Sequence, residues 1–291
     1  METTLAVKVT PLSPACGAMI EGVDLAEDLP DAAISAIKDA WAKHLVLVFR
    51  GQTITQEQQL RFAARFGELG ERKTAQARAE LRSRAEGVLQ NDSRVMLVSN
   101  IKVDGAPVGA FGDGEMWFHI DSGYSARPYQ YTFLYAVELP STGGNTRFAN
   151  MYKAYDAVPP DLKARLAGKK ALHIHEYKRT AKVDVPDDLS QSLHFFHPVF
   201  TTHPDTGRKT LFVDRLMTAR IEGVSREESD AILEQLYALG ERPEFIYEHV
   251  WRLGDVVMWD NRCTIHARTW FPPEENRLLR RCTVAGGPLS E

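Results

Sequence analysis

The chain has 291 residues but only three cysteines, Cys16, Cys263 and Cys282, far apart and in no C-x-x-C arrangement. That excludes a disulfide framework and a thiolate zinc site. It also lacks an excess of charge. A formal net charge of −4 leaves no basic footprint for nucleic acid and no polybasic segment for an anionic membrane. Long apolar runs are missing too: LVLVF at 45–49 is far too short to span a bilayer. The opening METTLAVKVT has neither the basic n-region nor the apolar h-region of a signal peptide. A soluble protein in a reduced cytoplasmic setting is expected, with neither nucleic acid nor membrane as partner.

What is present is ordinary globular usage, 44% apolar and 25% charged, enough for a sizeable core. DAAISAIKDAWAKH at 31–44 carries Ile34, Ile37 and Trp41 at helical spacing, and LVLVF then reads as a buried strand. Thr55 with Gln58, and Ser225 with Glu228, mark helix starts. VMLVSNI (95–101), YQYTFLYAVEL (129–139), EFIYEHVWRL, VVMWD and RRCTVAG read as strands, and DLKARLAGKKAL (161–172) as helix. Residues 71–94 are charge-rich at first and poor in bulky apolar groups, which suits a solvated helix or loop, or a lid over a site. With no repeat or linker, residues 1–291 read as one domain with a β core and helices packed outside it.

The chemistry starts at MWFHIDSGY, residues 116–124, where a strand pattern carries His119 and Asp121 two apart. Side chains at i and i+2 share a face, so imidazole and carboxylate project together. Such a pair suits a metal that takes both N and O ligands, such as Fe(II), and equally a histidine satisfied by its neighbour. A third ligand has several sources among nine histidines. His266 follows the apolar strand VVMWD. His173 with His175, and His194 with His197, are rival pairs, whereas His203 before Pro204 suits a packing role. Eleven and fifteen residues after His266 stand Arg277 and Arg281, on one face with Leu279 if the segment is a strand. Two guanidiniums aimed inward need anionic partners, because unpaired buried charge is costly; a solvated charge face is the alternative. The aromatics Trp259, Tyr124 and Phe118 fit core packing or a pocket wall.

His119-x-Asp121, a distal His266 and the two arginines after it resemble the TauD/TfdA family of Fe(II)- and 2-oxoglutarate-dependent dioxygenases. ELPSTGGNTRFANMYKAYDAVP, WDNRCTIHAR and FRGQTITQEQQLRFAARFGEL are similar to the family's segments as well. The resemblance implies a β-rich α+β fold with a double-stranded β-helix (jelly roll) core and flanking helices. It implies Fe(II) held by His119, Asp121 and His266, and 2-oxoglutarate gripped by Thr146 and Arg277. Arg281 would meet the anionic group of a small organic substrate, a sulfonate or an aryloxyalkanoate-type carboxylate. Hydroxylation next to a heteroatom, with O2 consumed and succinate and CO2 formed, is the implied reaction. Dimers or tetramers are the implied assemblies. One departure stands out: the family commonly has Trp before the first histidine, and here Phe118 holds that place. A metal-dependent hydrolase using the same His/Asp/His set is the alternative, although it has no use for Thr146 plus Arg277.

Overall fold

Short strands with alternating patterns bury their apolar faces by packing sheet against sheet. The computed structural model describes residues 7–71, 92–175, 180–181, 185 and 188–291. Its larger sheet has eight strands in the spatial order Lys8–Pro11, Ala18–Glu21, Val46–Phe49, Val256–Asp260, Tyr131–Glu138, Leu278–Val284, Met96–Ser99 and Ala110–Phe111. The smaller has four: Ile246–His249, Thr146–Asn150, Thr264–Arg268 and Met116–His119. Successive core strands alternate between the sheets. Met116–His119 lies in the small sheet, Tyr131–Glu138 in the large and Thr146–Asn150 in the small. Near the C-terminus, Val256–Asp260, Thr264–Arg268 and Leu278–Val284 repeat the alternation from the large sheet. That alternation winds the chain into a double-stranded β-helix, the jelly roll expected from the family likeness.

Period-two burial explains the layers. Val46, Val48, Leu134, Ala136, Val257, Trp259 and Leu279 face inward from the large sheet and meet Phe148 and Tyr247 from the small one. Leu47, Phe49, Phe133, Val256, Met258 and Cys282 face outward, under the helices Asp31–His44 and Gln56–Ala64. Helices Met151–Ala157, Pro160–Leu166 and Arg226–Gly240 cover the other side of the small sheet, over Ala149, Phe118 and Ile265. The Thr55–Gln58 capping box is made in both directions, and the Ser225 hydroxyl accepts from the Glu228 amide.

Two expectations change. The helix read over 161–172 ends at Leu166, because Gly168 takes a left-handed backbone (φ 72°) and Lys170–Ile174 continues as a strand. The strand read through MWFHIDSGY stops at His119, and Asp121 lies in the turn that follows, with Ser122 at φ 55°. The segment considered as a lid, 71–94, lies mostly outside the described residues, which omit 72–91. Among the described residues, no helix is long and apolar enough to cross a membrane.

Candidate metal centre and co-substrate cradle

The two strands Met116–His119 and Thr264–Arg268 are neighbours in the small sheet, and their register sets His266 opposite His119. The rings lie 4.1 Å apart between centroids. His119 Nδ1 donates to the Trp117 carbonyl at 2.9 Å, which leaves Nε2 as the lone-pair nitrogen. His266 Nε2 stands 3.9 Å from Asp121 Oδ1. All three residues are buried, and a donor atom from each lies within 4.8 Å of the others. Burial pushes both imidazole pKa values down, for His266 far down, which favours the neutral rings a metal would need. Burial raises the Asp121 carboxyl, but the Arg281 guanidinium, the two imidazoles and a hydroxyl from Thr132 outweigh it and hold it at about 2.

Asp121 reaches this position without a strand's alternation. Its Oδ2 accepts from Thr132 Oγ1 at 2.6 Å and from Arg281 Nη2 at 2.7 Å. Thr132 and Arg281 both project inward from adjacent strands of the large sheet, where Thr132 pairs with Thr283 and Arg281 with Leu134. The site thus joins two imidazoles from the small sheet to a carboxylate fixed by the large one.

A second feature lies beside it. Arg277 precedes the strand Leu278–Val284 and is 2% exposed. Its Nη2 donates to the Gly144 carbonyl at 3.0 Å, its backbone N–H donates to Asn100 Oδ1 at 2.9 Å, and its Nε has no hydrogen-bond partner. Among the described residues it forms no ion pair. Burial, with the Arg268 charge nearby, lowers its pKa from 12.5 to about 9. A Cβ at Gly144 would come 2.9 Å from Arg277 Nε, so glycine there makes room for the guanidinium. Thr146, two residues on, is buried at the start of its strand, and its Oγ1 accepts from Trp251 Nε1 at 3.0 Å. The indole takes one lone pair and leaves the hydroxyl proton available to an acceptor. A buried cation with an open N–H and a hydroxyl with its proton to give are each groups that suit a carboxylate.

Residues 8–283 match the family described as Taurine catabolism dioxygenase TauD, TfdA family. The chain belongs to that family. The (S)-phenoxypropionate/alpha-ketoglutarate-dioxygenase of Sphingobium herbicidovorans is 35% identical over 98% of this chain and 97% of its own length. Pentalenolactone F synthase of Streptomyces avermitilis is 34% identical over 92% of this chain and 90% of its own. The crystal structure of AAD-2 in complex with Mn(II) and N-oxalylglycine superposes with a TM-score of 0.80 at 29% identity, covering 98% of this chain and 99% of that one. This TauD/TfdA protein is therefore a 2-oxoglutarate-dependent dioxygenase, an oxidoreductase that uses Fe(II) and O2. Its residues fit the metal: a buried group of two neutral imidazoles and one carboxylate is the facial set of non-haem iron. Nothing favours the hydrolase alternative.

Of the six residues singled out in the sequence, His119, Asp121, His266 and Arg281 gather in one group; Arg277 bonds the Gly144 carbonyl, two residues before Thr146, which itself meets Trp251. Among the described residues the rival histidines form no three-donor group: the His173 ring is 5.5 Å from that of His197, but its Nδ1 lies 3.2 Å from the Thr218 hydroxyl. His197 Nε2 bonds the Ser125 carbonyl, His194 Nδ1 the Ser192 carbonyl, and His175 packs on Tyr124. His203 bonds Asp260 at 2.9 Å, a structural role; Cys263 lies near, but Arg262 already occupies both Asp260 oxygens. Phe118 packs outward among the residues under the helices, so the departure from Trp lies behind the strand, away from the metal side. Trp259 is core, with its ring 4.7 Å from His266. Sequence reasoning missed Thr132, Trp251 and Arg268. Arg268 is buried two residues after His266 and donates to the Gly114, Phe111 and Asp113 carbonyls, tying the loop before Met116–His119 to the site. The i+2 spacing from His266 could have flagged Arg268; no local signal marks Thr132. A cleft of about 350 Å³ bounded by Phe118, Arg147, Arg215, Glu241 and Ala267 opens on the outer side of the small sheet and is lined by none of the six residues.

Proposed function

We propose that His119, Asp121 and His266 hold Fe(II), that Thr146 and Arg277 hold the distal carboxylate of 2-oxoglutarate, and that Arg281 orients a small organic anion for hydroxylation. The observation that carries this reading is Arg277: a guanidinium 2% exposed, with no ion pair among the described residues and an orphaned Nε. A cation held so deep without a counter-ion calls for an anionic ligand. Iron bound at the triad supplies activation of O2 coupled to oxidative decarboxylation of the keto acid to succinate and CO2. The chain's part is placement. Arg277 and Thr146 fix one end of the co-substrate, and the buried walls around His119 and His266 exclude water. Arg281, whose Nη2 lies 2.7 Å from Asp121 Oδ2, sets the distance between the substrate's anionic group and the metal.

For the substrate we favour an aryloxyalkanoate-type carboxylate over a sulfonate, on the strength of the phenoxypropionate-named relative. Hydroxylation beside the ether oxygen gives a hemiacetal-type product that breaks the C–O bond. We also read the chain as one domain, cytoplasmic, and a dimer or tetramer. The test is anaerobic addition of Fe(II) and 2-oxoglutarate. A visible charge-transfer band should appear in the native protein and vanish in His119→Ala and Asp121→Ala. Aerobically, an aryloxyalkanoate should stimulate succinate formation above an alkylsulfonate. Without the band the metal reading is wrong; with the band but no stimulation by either class, only the substrate reading is wrong.

A further inference from the structure

Behind Asp121 runs a chain of three hydrogen bonds with one possible direction. Trp259 Nε1 meets Asn261 Oδ1 at 2.8 Å, Asn261 Nδ2 meets Thr132 Oγ1 at 2.9 Å, and Thr132 Oγ1 meets Asp121 Oδ2 at 2.6 Å. An indole N–H can only donate, so the Asn261 amide must turn its oxygen to Trp259 and its NH2 to Thr132. The Thr132 hydroxyl, accepting from Asn261, gives its single proton to Asp121. Trp259, Asn261 and Thr132 are each no more than 1% exposed, so no water competes for these groups. Register explains the arrangement: Thr132 pairs with Trp259 across adjacent strands, and Asn261 follows directly where the Asn261 N–H donates to the Gln130 carbonyl at 3.0 Å.

We infer that Thr132 and Asn261 are positioning residues that confine Asp121 to metal binding through Oδ1 alone. The inference rests on the metal reading above. Oδ2 already accepts from both Thr132 and Arg281, whereas Oδ1 faces His266 Nε2. A carboxylate with both oxygens available can chelate a metal and consume a coordination position that the keto acid or O2 requires. Holding Oδ2 away keeps three positions open. The two clamps differ in kind. Arg281 is shared with the substrate's anionic group, whereas Thr132 is neutral, fully buried and fixed from behind by Asn261, so it holds Asp121 when the substrate draws on Arg281.

The experiment compares Thr132→Val, Thr132→Ser and Asn261→Asp with the native protein. The readouts are metal affinity by anaerobic calorimetry and 2-oxoglutarate affinity from the visible band. Asn261→Asp puts an acceptor where the NH2 stood and redirects the Thr132 proton away from Asp121. Thr132→Val and Asn261→Asp should each weaken 2-oxoglutarate binding by about tenfold without weakening metal binding, because a freed Oδ2 takes the position the keto acid needs; the double variant should be no worse than either, and Thr132→Ser should restore native values. A purely structural hydroxyl would alter melting temperature and leave both affinities near native. The inference is overturned if Thr132→Val binds metal and keto acid as the native protein does, or if Thr132→Ser fails as badly as Thr132→Val. Absence of the band in the native protein would instead remove the metal reading itself.

Discussion

Replacing Arg277 by methionine should make the ligand-free protein more stable while abolishing its response to 2-oxoglutarate. An arginine stays charged at neutral pH, so the lowering of its pKa from 12.5 to about 9 is borne by the fold as destabilisation at every pH below that value. A drop of this size corresponds to about 5 kcal/mol as an upper bound. Methionine keeps much of the side chain's bulk and removes the charge. Against the gain stands the Gly144 carbonyl, which loses the Arg277 N–H it accepts, at a cost of about 1–3 kcal/mol. The net expectation is a gain of about 2 kcal/mol, or roughly 4 °C in melting temperature for a chain of this size. The same change removes the cation proposed to meet the keto acid's distal carboxylate, which should weaken binding by about a hundredfold or more. Thermal unfolding with Mn(II), which avoids turnover, and increasing 2-oxoglutarate would read both effects. The native protein should rise with ligand, by about 2.7 kcal/mol at a hundred times Kd, and the variant should start higher and stay flat. The reasoning fails if Arg277→Met melts below the native protein without ligand, or if it keeps a saturable rise.

Three further outcomes follow from the structure. Asp260, held at about 2 by Arg262 and His203 against the rise that burial alone would give, contributes about 2 kcal/mol above its ordinary pKa. Because the folded value is depressed, that contribution is present near neutrality and lost between about pH 4 and 2. Acid unfolding of Asp260→Asn should therefore be flatter in that window, with about 3 kcal/mol less stability at pH 7 from the stranded Arg262. Arg281→Gln should raise KM for an anionic substrate more than it lowers kcat and also weaken 2-oxoglutarate binding, read from the visible band, because Asp121 Oδ2 keeps only Thr132. Thr55→Ala breaks the capping box of helix Gln56–Ala64 and should cost about 1 kcal/mol, seen as a small fall in denaturant midpoint with metal affinity unchanged.

The parts of the fold legible in the sequence were those with local causes. Ile34, Ile37 and Trp41 marked a helix by spacing, and Thr55 and Ser225 marked starts by capping chemistry; all five do what those patterns require. Leu279 and Arg281 share the inner face as period two requires, whereas Arg277 precedes the strand and the ladder to Tyr131–Glu138 shifts register between Leu278 and Leu279, so its burial did not follow from alternation. What was misread depended on distant partners. Propensity favours helix through Gly168 to residue 172, but Lys170–Ile174 pairs with His194–Pro198 and Thr218–Ile221, and that ladder overrides propensity. His119 and Asp121 do lie together, yet through a turn and a tether to Thr132 rather than strand alternation. Thr132 is eleven residues beyond Asp121 on another sheet, and Trp251 meets Thr146 across 105 positions, so neither leaves a spacing to read.

Phe148 sits fully buried between the sheets, its ring 6.2 Å from His266 and 5.3 Å from Trp259. The imidazoles belong to one sheet and the tether on Asp121 to the other, so the gap this ring fills is also the span across which the three ligands must meet. A truncation such as Phe148→Leu, which elsewhere in a core would register as a loss of stability, would here also detune the metal. Filler side chains in this jelly roll act as spacers with a chemical tolerance.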